Sequence, residues 1–529
     1  MSCFNINRLA SKLFSQFQLK FTDTQNELLP LIETPFSLTA FEGQIQKKSN
    51  EYTSDKRKIL STYFQQQYTN QSVSEKTKEY LELISQSNTF TVSTGHQLSL
   101  FGGPAFFVYK IMHVIRLAEE LKNAFPDQNF IPVFWMASED HDFAEVNHLN
   151  LFNKKIEWAH SPSGAVGRMD TFGLDTVRHQ LHELFQNNPD AEIHALIDSM
   201  NGKSYSEAIF QFVHSLFDTF GLLIVQPDNK ALKRVFQSIM AQEIQAPFVS
   251  NEIEKANAIL DERNWTKQIQ GRPINLFYLS ENQRLRIELN EENKSYSIGK
   301  KQFSLDEILN LLNSEPENFS PNVALRPVYQ ECILPNLCYV GGLGELSYWL
   351  QLKEVFHAAK VQFPLIQART SYFTIDETSF TKWQELGFSQ LQLFEKPTHL
   401  KSTFLEKNQV QPLEFNPIVE QFERLKSELQ HLTQTVDESL ESFVGAEMTR
   451  MEKQVEVIRQ RLEKSTKSRF DKQLKLIDTV HERLFPHNDW QERHFSFFHF
   501  SPDGNYTKRL NEIHKSCTPF SPEIKFLVY

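Results

Sequence analysis

A strand-prone run at Thr89–Thr94, a loop carrying Gly and Pro, an amphipathic stretch at Phe106–Phe125 and a second apolar run at Phe130–Ala137 follow one another in the chain. Strand, loop, helix and strand in so short a span predict a right-handed βαβ unit, because parallel strands need a crossover connection. Ligands of such sheets lie beyond the carboxyl ends of the strands. The alternation resumes with Gly221–Gln226 before a helix from Lys230, and with Leu337–Val340 before a helix from Gly344. An α/β fold with its core over residues 89–380 is therefore expected, preceded by a helical, outwardly polar part over 1–88. Within the core, short alternating runs (Leu276 and Tyr278; Leu285, Ile287 and Leu289; Tyr296 and Ile298) predict inserted hairpins over about 275–303, and Ser304 with Glu307 opens a helix as a capping box.

The period changes near the carboxyl end. Ile418, Phe422, Leu425, Leu429, Leu432, Val436, Leu440 and Phe443 recur at spacings of three and four, the seam of a coiled coil. A second seam runs through Met448, Met451, Val455, Ile458 and Leu462 and resumes at Phe470, Leu474, Ile477 and Leu484. Two long helices joined near Gly445 are expected to form an antiparallel arm over 416–486, reached by a connector over 381–415. A final segment, 487–529, is expected to return to the core. Structural or dimerising duty is the expected role of the arm.

Composition limits the partners. Of 529 residues, 40% are hydrophobic and 12% aromatic, which excludes general disorder, and 55 basic against 66 acidic side chains give a net charge of −11. A polyanion would be repelled, so nucleic acid is not an expected partner. The amino-terminal 20 residues lack a continuous apolar run with a small-residue cleavage site, and the uncharged run 83–109 carries too many polar groups to span a membrane. The four cysteines form no C-x-x-C pair, which fits a reducing cytoplasm; Cys332 and Cys338 sit in apolar surroundings expected to make them buried thiols, not nucleophiles.

Three segments carry chemistry. Thr94–Pro104 lies between a strand and a helix, where backbone N–H groups can meet an anion or simply form a tight turn, and Lys110 adds a positive charge one turn into the helix. Trp135–His148 ends a buried strand in Glu139, Asp140, His141 and Asp142, whose packing together suits acid–base chemistry. If this stretch is helical, His141, Glu145 and His148 share one face, and a metal-dependent amidohydrolase becomes an alternative. Arg326–Glu331 and Gly341–Trp349 add a guanidinium suited to a carboxylate or phosphate and a glycine turn. Gly342 and Gly344 imitate the start of a dinucleotide motif, but Ser347 stands where its third glycine belongs. Arg369 supplies a second anion contact or an interior salt bridge. Arg493, in Gln491-Glu-Arg493, could reach a phosphate or serve as an ordinary helix-end charge.

In this order, with the coiled coil before the last, these segments resemble the BshC family of bacillithiol biosynthesis; the Pro132-Val-Phe-Trp135 run leading to Glu139-Asp-His-Asp-Phe143 carries most of the specificity. The resemblance implies a Rossmann-like core with inserted connecting segments, a coiled-coil arm and a homodimer. It implies a cysteine ligase that forms an amide between L-cysteine and glucosaminyl-malate in the last step of bacillithiol synthesis. On that reading His141 is the base, oriented by Asp142 or Glu139. Substrate contacts are assigned to Thr94, Gly95, His96, Gln97, Gly103, Lys110, Asp140, Asn147, Arg326, Gln330, Glu345, Tyr348 and Arg369. Gly341, Gly342, Gly344 and Arg493 are the candidates for nucleotide or phosphate, with ATP or ADP a candidate ligand, no Walker lysine present and no metal assigned. Family members often carry Gln where His96 stands, so a hydrogen-bonding role is assigned to it. A non-catalytic scaffold, with a ligand-sensing core and a recruiting arm, is the other alternative. The ligase reading leans on distant segments converging on one pocket rimmed by acidic groups, imidazole and guanidinium; His141, Gly342 and Arg369 on separate surfaces, with no shared cavity, would end it.

Overall fold

Five strands, each buried on both faces and rich in Val, Ile, Thr and aromatic residues, form one parallel sheet: Thr89–His96 (β1), Asn129–Met136 (β2), Leu223–Val225 (β3), Asn336–Gly341 (β4) and Leu365–Ala368 (β5). Burial of both faces explains why these runs read as continuously apolar and not alternating. In this computed structural model, which describes residues 2–22, 24–160, 163–290, 292, 294–408, 415–521 and 523–529, the strand order is β3-β2-β1-β4-β5. The chain thus runs outward from β1 in one direction, then returns to its other side. That is a doubly wound sheet with its switch point between β1 and β4. The α/β class expected from the sequence is the one observed.

Helix Phe106–Ala124 makes the crossover from β1 to β2 and is buried on nearly every side, including Lys110 one turn from its start. The loop before it is shaped by Gly102 and Gly103, both at positive φ; a Cβ on Gly103 would lie 2.7 Å from Ser99 Cβ, so Gly103 serves the turn. The insertion forms an antiparallel sheet of Leu276–Leu279, Arg284–Asn290, Ser295–Ile298 and Lys301–Phe303, joined by Phe319–Pro321, a strand the sequence did not announce. The Ser304–Glu307 capping box is present.

Two expectations are corrected. His141–His148 is not one helix: Asp142 accepts the Glu145 N–H and caps the short helix Phe143–Val146, and His148 already opens strand His148–Leu151. Buried Leu149 and Leu151 impose a period of two there, and Phe152 and Asn153, both at positive φ, turn the chain into the partner strand Lys154–Glu157. The helices of the arm do not join at Gly445, which lies inside helix Glu441–Ser468. Helix Asn416–Val436 ends where Asp437 turns extended and accepts the Ser439 N–H at 2.9 Å.

The chain divides into two units: Ser2–Thr374 with Asp489–Leu527, and Ile375–Asn488 with Val528–Tyr529. The second holds helices Glu377–Glu385, Pro397–Lys407, Asn416–Val436, Glu441–Ser468 and Asp471–Leu484. Residues 409–414 of the expected connector lie outside the described residues. In the first unit the returning segment seats Gln491 and Glu492: Gln491 bonds the N–H and carbonyl of Thr374, and Glu492 accepts the Tyr372 N–H. No helix among the described residues is long and apolar enough to cross a membrane.

Candidate active site

A cavity of about 470 Å³ opens at the carboxyl ends of β1, β2 and β4. Gly95, His96 and Gln97 reach it from β1, Trp135, Glu139 and Asp140 from β2, and Tyr339, Glu345 and Tyr348 from β4 and the helix that follows. Arg326 enters from helix Leu325–Ile333, and Arg284 from the inserted sheet.

Lys110, assigned a substrate contact, does not line the cavity but braces two residues that do, Gly95 and Glu345. Its ammonium, 1% exposed, donates to the Gly95 carbonyl at 2.6 Å and to both oxygens of Glu345 at 2.7 and 2.9 Å. Burial pushes its pKa down and Glu345 opposes that shift. Glu345 also accepts the Gly342 N–H at 3.1 Å, so the start of helix Leu343–Trp349 is occupied by its own carboxylate. The carboxylate takes up the Gly342 N–H and sets a negative charge beside the glycine turn, where a phosphate would otherwise approach.

Arg326 is held only by neutral partners, Gln330 Oε1 at 3.2 Å and the Tyr348 hydroxyl at 3.4 Å, and is not ion-paired among the described residues. Its charge is available to a ligand anion. Gln330 does not line the cavity; it links this helix to Ser93 of β1. Across the cavity, Asp140 accepts from Gln97 at 2.9 Å and from the His141 N–H at 2.8 Å, with Arg284 at 3.8 Å. Burial raises its carboxyl, but these hydrogen bonds and the guanidinium outweigh it and leave the pKa below the usual value. Glu139 is buried against Lys233, and desolvation lifts it despite that ammonium. The imidazole inside the cavity is His96: burial first, then the charges of Lys110 and Arg369, hold it well below the usual histidine range, so it is neutral near pH 7.

His141 stands at the rim with its side chain 61% exposed, Nδ1 3.4 Å from Asp140 and 3.3 Å from an Arg284 nitrogen. The carboxylate beside it is Asp140; Asp142 is engaged as a helix cap and Glu139 with Lys233. Arg369 is buried in an ion pair with Glu492 at 2.6 Å and lies over Phe106, whose ring forms part of the cavity wall. The cavity does gather residues from distant segments, but the expectation that His141, Gly342 and Arg369 share it is corrected: none of the three lines it, because Glu492 claims Arg369, Glu345 takes the Gly342 N–H and His141 turns out to solvent. Thr94 bonds the Val340 carbonyl between strands, Asn147 bonds Glu157, and Arg493 is exposed over Trp490. Glu145 accepts from Gln97 and His148 lies against Asn147, so His141, Glu145 and His148 form no metal-holding group, nor does any other set among the described residues. Cys332 and Cys338 are buried, and burial raises both thiols. Arg284 was missed: it reads as an ordinary strand residue, and the available signal was the Arg284–Arg286 pair alternating with Leu285 and Ile287, which puts two cations on one face.

A doubly wound α/β unit with a small-molecule cavity at its switch point, joined in sequence to a helical hairpin, defines the class. Residues 1–370 match the family described as "Bacillithiol biosynthesis BshC, N-terminal Rossmann-like domain", and residues 373–521 match "Bacillithiol biosynthesis BshC, C-terminal coiled-coil domain". Similar proteins include one from Flavobacterium johnsoniae, 37% identical over 94% of each chain, and one from Cytophaga hutchinsonii, 32% identical over 100% of each. A protein from Bacillus mycoides is 28% identical over 83% of this chain and 84% of its own. All three bear the name "Putative cysteine ligase BshC". This chain belongs to the BshC family.

Proposed function

We propose that the protein is a cysteine ligase that joins the carboxyl group of L-cysteine to the amine of glucosaminyl-malate, forming an amide in the last step of bacillithiol synthesis. Family membership over nearly the whole chain supports the reading, and the observation that carries it is the cavity itself: Arg326, not ion-paired among the described residues, and the Asp140 carboxylate line one space of about 470 Å³. Carboxylated substrates suit Arg326; the hydroxyls and ammonium of an amino sugar suit Asp140 and Gln97. The ammonium must lose a proton before it attacks, and we assign that proton to His141, held between Asp140 and Arg284 at the rim. His96, neutral within the cavity, is a hydrogen-bond partner. The cysteine carboxylate needs activation because hydroxide is a poor leaving group.

We further propose that the protein is a homodimer paired through its hairpin and works in the cytoplasm. Along the hairpin Val436 is 76% and Phe443 61% exposed, as befits a seam that a second copy covers. The four free cysteines fit a reducing compartment. Incubating the purified protein with L-cysteine and glucosaminyl-malate, with and without ATP, and following product mass tests the reaction. The coupled amide is expected in at least one condition; its absence from both would overturn the reading.

A further inference from the structure

Residues 491–499, in the segment that returns after the hairpin, bind the chain at three places: after β1, after β2 and after β5. In the loop that follows β1, the Ala105 N–H donates to the Phe495 carbonyl at 2.8 Å, and Pro104 pairs with Ser496 in an antiparallel bridge. In the strand His148–Leu151, which follows Asp140 and His141, the Asn150 carbonyl accepts the Ser496 N–H at 2.9 Å and the Asn150 amide donates to the His494 carbonyl at 3.2 Å. The Phe152 N–H donates to His499 Nδ1 at 3.2 Å. Beyond β5, the buried carboxylate of Glu492 accepts the Tyr372 N–H at 2.9 Å and a terminal nitrogen of Arg369 at 2.6 Å.

The contact after β5 is charged, and it leads into the cavity. Arg369, itself buried, donates also to the Thr370 carbonyl at 3.1 Å, while its guanidinium lies 5.1 Å from the centre of the Phe106 ring. Phe106 in turn makes a T-shaped contact with the His96 imidazole, 5.2 Å between ring centres at 72°, and both rings line the cavity. Each link has its own directional geometry: a charge-assisted hydrogen bond, a cation over an aromatic face and a crossed pair of rings. A buried ion pair adds little stability compared with apolar side chains of the same size, because lost hydration offsets the attraction. The pair is therefore better accounted for by what the guanidinium holds in place than by stability.

We propose that Arg369, anchored by Glu492, is a positioning residue of the cavity: the guanidinium holds the Phe106 ring, and that ring fixes the His96 imidazole at the ligand space. The segment after the hairpin thereby helps to build the site although residues 491–499 do not line the cavity. Without the guanidinium face, Phe106 is free to rotate and His96 loses the ring that sets its orientation. The inference deepens the coupling reading above and rests on it for the effect on substrate affinity, but not for the placement of His96.

Two variants of the full-length protein test it. R369Q/E492Q removes both charges together and leaves no unpaired ion in the core. R369K keeps a cation for Glu492 but not the planar face over Phe106, and it decides the matter if melting curves show the double variant unfolded. In protein carrying labelled histidine, the NMR signal of His96, identified by its loss in H96Q, is expected to move in both variants, while that of His357, paired with Glu33, stays. In the coupling assay, KM for at least one substrate is expected to rise at least about fivefold with kcat within about threefold of wild type. A pair that only supported folding would lower the amount of active enzyme, and so the apparent kcat, without changing KM. An unmoved His96 signal or an unchanged KM in a folded variant would overturn the assignment. If the wild type forms no product, the coupling reading fails and the His96 signal alone decides this one.

Discussion

His96 and His141 differ in surroundings in a way that separates their roles. Inside the cavity, desolvation and two neighbouring cations hold His96 neutral, so it has little capacity to take up a proton near pH 7. At the rim, His141 is open to solvent with a carboxylate beside it. Replacing His141 by Asn keeps the size and removes the base; turnover in the coupling assay should fall by at least about a hundredfold, the usual scale of general-base loss, with an unchanged circular dichroism spectrum. Replacing His96 by Gln keeps a hydrogen-bonding group and should leave turnover within about tenfold of wild type. A fully active H141N enzyme would remove His141 from the reaction. Asp140, Glu139, Gln97, Glu345 and Tyr348, expected at the site because they follow strands of a recognisable βαβ pattern, line one cavity together with Arg326, expected there for its charge. The sequence could not place Arg284, because which inserted hairpin folds over the switch point depends on tertiary packing, and it could not see that Glu492 lies close enough to claim Arg369.

Among the elements, the parallel strands were readable because burial on both faces leaves an unbroken apolar run. The His141–His148 stretch was not, since a helix cap at Asp142 and a strand beginning at His148 compete within eight positions and only the Asp142 capping bond decides. The hairpin was readable in its period but not in its turn: Gly445, with no neighbour within 4 Å of where its Cβ would be, is tolerated inside a helix, while Asp437 supplies the side-chain bond that breaks one. The seam itself yields a test of the proposed dimer. Carboxylates at Val436 and Phe443 would set like charges against each other in any pairing that covers these exposed side chains. V436E/F443E is expected to shift the mass measured by light scattering from dimer to monomer at micromolar concentration, with helix content unchanged. A monomeric wild type, or a variant that stays dimeric, would count against pairing through this face.

At the scale of the whole molecule, the switch point rests on a buried polar cluster as well as on apolar packing. Glu331, in the helix that carries Arg326, accepts from Asn336 of β4 at 2.7 Å and from Gln330 at 3.0 Å, and Gln330 in turn reaches Ser93 of β1. The second oxygen of Glu331 has no hydrogen-bond partner, as suits a carboxyl that keeps its proton. Burial raises its pKa from 4.5 to about 7, only partly opposed by Lys48. The folded chain therefore holds this proton more tightly than the unfolded chain does. The resulting stability is complete below about pH 4.5 and is lost as the pH climbs to 7, a change of about 3 kcal/mol. E331Q keeps an oxygen to accept from Asn336 and Gln330 but cannot ionise, so its melting temperature should fall less than that of the wild type between pH 5 and pH 8, by a few degrees. Taking the difference between the two proteins cancels every titration they share. Parallel melting profiles across that range would mean that Glu331 ionises as readily in the folded core as in the unfolded chain, and that the cluster joining β1, β4 and the Arg326 helix tolerates its charge.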